Sequence, residues 1–220
     1  MNKWFAISVL MLVAGALPAA PASATTVTPE ARQIAEVIDR LDVEHHWPAG
    51  VHVNWKTGVP DGRPESQSGR HTHCSAFVAS AAQQFGIYIL RPPEHPQTLL
   101  ANAQHDWLLE AGHDRGWVRI DGPVAAQEYA NRGWFVVVTY RNHHDNKPGH
   151  IAIIRPSDKS ELLLRAEGPQ ITQAGTINFR STTVREGFSG HPAAWRRQEA
   201  LYFAHPIDNQ ALLAAQARQP

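Results

Sequence analysis

Apolar residues follow a helical rhythm through the first part of the chain and strand-like runs through the second. Ala31, Ile34, Ala35, Ile38 and Leu41 recur at helical spacing, and Thr28-Pro29-Glu30 supplies an N-cap with proline in the first turn, so residues 28–42 read as a helix. Phe77, Val78, Ala81, Ala82 and Phe85 mark a second helix over residues 75–85, stopped by Gly86. Residues 97–111 and 124–131 complete this half. The rhythm then changes: residues 134–140, 150–155, 162–166 and 171–179 are expected as strands, with residues 157–160 as a hairpin turn. Residues 201–204 are expected to close the sheet, and residues 210–219 form an Ala-rich tail helix. Helices followed by a run of antiparallel strands predict an α+β domain, its N-terminal helices packed on an antiparallel sheet.

The first 24 residues stand outside this pattern. Lys3 gives a positive start, an apolar run follows, and Ala22-Ser23-Ala24 has the A-x-A form that signal peptidase reads. The apolar core is shorter than the roughly 20 residues of a membrane span. Residues 1–24 are therefore expected to be a cleaved signal peptide, and residues 25–220 a single exported domain, periplasmic or secreted, monomeric and free of the membrane. Twenty basic residues balance twenty acidic ones, which gives no electrostatic pull towards nucleic acid.

An exported chain normally pairs its cysteines, yet this one has a single cysteine, Cys74, and so no internal disulfide. The segment His71-Thr72-His73-Cys74 leads from a loop into the second apolar helix, which places the sulfur at a helix N-terminus. Unpaired N–H groups and the helix dipole there are expected to lower the thiol pKa and to offer donors to an oxyanion. A thiolate nucleophile also needs a base that accepts its proton and returns it to the leaving group. Among thirteen histidines, His150 is the candidate because it opens an Ile-rich strand directly after Pro148-Gly149; His143 and His144 lie in a polar loop.

The helix Cys74-Ser75-x-Phe77-Val78, ending at Gly86-Ile87, and the strand Gly149-His150-Ile151-Ala152-Ile153-Ile154 together resemble the papain-like cell-wall cysteine hydrolases, the NlpC-type peptidases and CHAP amidases. The similarity runs over roughly residues 69–179. It implies a papain-like fold, a Cys74 nucleophile, a His150 base and a third polar residue on the next strand that orients the imidazole. Ile171-Thr172-Gln173-Ala174-Gly175 resembles that third motif and assigns the role to Gln173, with Glu167 and Asn178 as rivals. The implied substrate is peptidoglycan or another peptide amide, and no cofactor is called for. Asp often precedes the cysteine in the NlpC group, whereas His73 stands here.

Other readings stay open from sequence. His71-x-His73-Cys74 is a compact ligand set for Zn or Cu, although no second cysteine or finger-like pair accompanies it. Seven tryptophans would suit a non-catalytic wall-binding protein. A thioester intermediate can also pass to an amine or alcohol, making the chain an acyltransferase. Asn54 and Trp55, in the loop before the cysteine, are candidates for the substrate cleft.

Overall fold

The computed structural model describes residues 26–64 and 71–218, so the expected signal peptide lies outside the described residues. Eight α-helices are present among them: α1 (Pro29–Asp39), α2 (Cys74–Gln84), α3 (Leu100–Glu110), α4 (Gly122–Asn131), α5 (Glu161–Glu167), α6 (Val184–Gly187), α7 (Pro192–Arg196) and α8 (Asn209–Ala217). Six strands accompany them: β1 (Val118–Ile120), β2 (Phe135–Tyr140), β3 (His150–Ile154), β4 (Gln170–Gln173), β5 (Phe179–Thr183) and β6 (Leu201–His205). They form one sheet in the order β1-β6-β2-β3-β4-β5, every neighbouring pair antiparallel. The expected α+β architecture is present.

Local chemistry sets the helix starts. Thr28 caps α1 by accepting from the Ala31 N–H at 3.2 Å, and Pro29 follows in the first turn. Gly86, at φ +70°, ends the α2 segment in a conformation that costs glycine little.

Helices cover both faces of the sheet. On one face Ile151, Ile153, Val137, Phe135 and Phe203 pack with α2, α1 and α8; on the other Ala152, Ile154, Val136 and Val138 pack with α4, α6 and α7. Every residue of β2 and β3 is buried for that reason, which is why these strands read as unbroken apolar runs. Helix α2 is buried along nearly all its length, Cys74 through Ala82, so it is a core element rather than a surface helix. Trp47 and Trp117 are fully buried core residues and cannot line a carbohydrate groove.

Three sequence expectations are corrected. Residues 161–167 form α5, not a strand, because Ser160 caps them by accepting from the Leu163 N–H and Glu161 pairs with Arg165 one turn on. Strands β3 and β4 are thus joined across a helix, not by a hairpin at residues 157–160. The segment 171–179 is split into β4 and β5, which pair with each other across a turn at residues 174–178. Strand β6 does not close an edge: it lies between β1 and β2, and the short strand β1 is the edge.

Candidate active site

His150 and Gln173 meet. The imidazole opens β3, Gln173 ends the neighbouring β4, and His150 Nε2 lies 2.9 Å from Gln173 Oε1. The amide orientation is settled by its other end, where Gln173 Nε2 donates to the Ile177 carbonyl at 3.3 Å. Oε1 must therefore accept, so Nε2 carries the imidazole proton and Nδ1 is the free basic nitrogen. Both side chains are buried. A Cβ at Gly187 would collide with the Gln173 amide oxygen, and one at Gly175 would press on its nitrogen, so two glycines keep the pocket for this amide open. The rivals are engaged elsewhere. Glu167 pairs with Lys159 at 3.2 Å, and Asn178 donates to the carbonyls of Val43 and His46, tying down the loop after α1.

The ring of His150 is also gripped on its faces. Phe188 meets it edge-on at 4.6 Å, and His191 stacks at 5.8 Å with planes 19° apart. Sequence reasoning missed both, since they lie on short elements with no periodic signal. Burial, opposed by the bond to Gln173, holds the His150 pKa below the ordinary histidine range; burial and the neighbouring His150 charge push His191 down to about 4. Both rings are neutral at pH 7. The approach to His150 is rigid as well. Asn102 of α3 donates to the Lys147 carbonyl at 2.9 Å and accepts from the Asn142 N–H at 3.1 Å, stapling the loop that leads into β3. At Gly149 a Cβ would strike the Tyr140 carbonyl and Asn102 Oδ1, so only glycine fits there.

Cys74 is the first residue of α2, as the sequence suggests, and the preceding His73 provides no side-chain cap. His73 instead turns its Nε2 to the Val51 carbonyl, at 2.8 Å. The backbone N–H groups of Ile151, Ser75 and Cys74 itself and the hydroxyl of Thr72 favour a thiolate, but burial outweighs them and raises the thiol pKa. The expected acidic thiol is therefore corrected: the residue is only 3% exposed, and loss of hydration exceeds what a helix tip returns. The sulfur joins the cluster containing Ile151 and Ile153, whereas His150 belongs to the opposite alternation of β3. Sulfur and imidazole thus approach the same strand end from two faces, and among the described residues no hydrogen bond joins them. Thr72, which influences the sulfur, also lines a cavity of about 450 Å³ together with His150, Gln173, Ile177, Glu186 and His191.

Asn54 and Trp55 are not part of this cavity; they line a separate one beside the far half of α2. No group of three His, Cys, Asp or Glu side chains able to hold a metal ion occurs among the described residues, His71, His73 and Cys74 included. No helix of the described residues is long and apolar enough to cross a membrane. Comparison with known proteins finds no matching family model and no curated relative.

Proposed function

We infer that this chain is an exported papain-like cysteine hydrolase that cleaves an amide bond in peptidoglycan, with Cys74 as nucleophile, His150 as base and Gln173 as the residue that orients the base. The bond from His150 Nε2 to Gln173 Oε1 carries this reading, because it holds the tautomer whose free nitrogen can take a proton. The uncapped first turn of α2 supports it too, since the Cys74 and Ser75 N–H groups act on the sulfur and are donors of the kind an oxyanion needs.

In this reaction the thiol proton passes to His150 Nδ1 as sulfur attacks the carbonyl carbon. The proton then moves to the leaving nitrogen as the C–N bond breaks. Water, deprotonated by His150 Nδ1, then attacks the thioester carbon; as the C–S bond breaks the proton returns from Nδ1 to sulfur and the carboxylic acid is released. Because thiol and imidazole are both held neutral, the proton transfer accompanies the attack on substrate, and no thiolate–imidazolium pair precedes it. Mass spectrometry of purified peptidoglycan after incubation tests this: new amide-cleavage fragments are expected from the native protein and none from Cys74→Ser or His150→Ala. Equal fragment release by Cys74→Ser would rule the mechanism out.

A further inference from the structure

A second cavity, of about 690 Å³, is lined by Trp55, Lys56, Arg63, Arg91, Glu94 and Gln97 among others. Gln83 also borders it, nine residues along α2 from Cys74, which at 1.5 Å per residue puts it about 13 Å down the helix from the sulfur. Its polar groups are unusually short of partners. The Arg91 guanidinium lies over two aromatic faces, 5.7 Å from the Trp55 ring and 5.0 Å from the Tyr88 ring, and has no carboxylate partner among the described residues. Its Nη1 is buried without an acceptor. Gln97 donates through Nε2 to the Val53 carbonyl at 2.9 Å, which identifies the two ends of the amide and leaves Oε1 buried without a donor. Lys56 lies over the same indole at 5.6 Å. Of the two carboxylates on the wall, Asp61 is already engaged by His52 at 2.8 Å and Arg63 at 3.5 Å.

An unsatisfied guanidinium and an unsatisfied amide oxygen lining one cavity call for a ligand that brings an anion and an N–H together. An arginine whose faces are occupied by aromatic rings still presents its edge, the geometry that accepts a carboxylate through two parallel bonds. We propose that this cavity binds the carboxylate end of an acylated amino acid or peptide, with Arg91 holding the carboxylate and Gln97 Oε1 accepting the adjacent amide N–H. Lys56 adds a second positive charge, and the Trp55 ring supplies an apolar surface for the residue's side chain. Both unmet atoms are covered in the free protein, so binding turns the Gln97 amide about its soft terminal torsion, away from the Val53 carbonyl, and re-aims the Arg91 side chain through its aliphatic rotamers.

The site is independent of the thiol chemistry, so calorimetric titration of the Cys74→Ser protein is the test, with N-acetyl-alanyl-alanine, its C-terminal amide and acetate as probes. Saturable binding of the free acid is expected, with the amide and acetate each about tenfold weaker or worse. Arg91→Lys keeps the charge but loses the fork and should weaken the acid by a similar factor, while Gln97→Leu should bring the acid down to the level of acetate. Circular dichroism of each variant checks that the fold is kept. Equal binding of acid and amide, undiminished binding in a folded Arg91→Lys protein, or no saturable binding of the acid would each overturn the proposal. Hydrolase activity, present or absent, leaves these outcomes unchanged.

Discussion

At Cys74 two consequences of position oppose each other. The helix tip and the Ile151 and Ser75 N–H groups favour the thiolate, yet burial is the stronger effect and keeps the proton on sulfur. The free protein should accordingly react with iodoacetamide at least about tenfold more slowly at pH 7 than an exposed thiol, and the rate should still be rising at pH 9. A labelling rate that levels off below pH 7 would show that the thiol is acidic after all. Gln173 acts through His150 rather than on substrate. Gln173→Ala leaves the ring N–H without its acceptor and lets the other tautomer form, so kcat should fall about 10²-fold with KM little changed. Gln173→Asn should restore part of the loss, and the imidazole proton signal in NMR should move in parallel. Cys74 at a helix start and His150 at a strand start were legible in sequence, and Gln173 was one of three candidates there; Phe188, His191 and Asn102 were not legible, because their contacts run between separate elements and no spacing encodes them.

Among the elements, α1 is joined to the sheet by one partly buried charge cluster. Asp39, at its C-terminal end, receives both Arg155 Nη atoms, Nη2 at 3.0 Å, and Arg180 Nη2 at 2.7 Å. Burial alone would raise the Asp39 pKa, but the Arg155 and Arg180 bonds prevail and hold it below the usual carboxylate range. Arg155 also donates to Thr172 Oγ1 at 2.9 Å, so a single guanidinium ties α1, β3 and β4 together. Asp39→Ala leaves the half-buried Arg155 without its carboxylate and should cost about 1–2 kcal/mol in urea unfolding. Asp39→Ala combined with Arg155→Met should recover part of that, and a loss below about 0.5 kcal/mol in the single variant would show that the pair is merely superficial. Periodicity located α1 to α4 and β2 to β3 because one face or both faces of each are apolar. It failed over residues 161–167, where Leu162-Leu163-Leu164 looks like a strand, yet Leu162 is 78% exposed and the Ser160 cap decides the helix.

Across the whole molecule, acid should act on the buried histidines. His105, His150 and His191 all have folded pKa values held down, chiefly by burial. The unfolded chain then takes up protons first as the pH drops below about 6.5, and stability falls from there towards the folded pKa values. With His191 displaced to about 4, that ring alone costs up to about 2 kcal/mol on going from pH 7 to pH 5. The carboxyl groups of Asp39 and Asp61, held below their usual range, stabilise above about pH 4 and add a further loss only in stronger acid. His45, raised by Asp42, works in the opposite sense but is fully exposed. Calorimetry should show Tm about 4–8 °C lower at pH 5 than at pH 7, and the His191→Phe protein should lose less. An unchanged Tm in the native protein would mean these rings reach water in the folded state.

The sequence by itself determined helices α1 to α4, strands β2 and β3, the position of Cys74 at a helix start and the placing of His150 and Gln173 on strands, because periodicity, caps and turn residues act over a few positions. Tertiary structure alone decided the strand order, which puts β6 between β1 and β2, and chose Gln173 over Glu167 and Asn178 as the partner of His150. It also decided the protonation of the sulfur. The physical reason is that solvation belongs to no segment: the charge a helix tip can hold depends on how much water the remainder of the fold leaves around it.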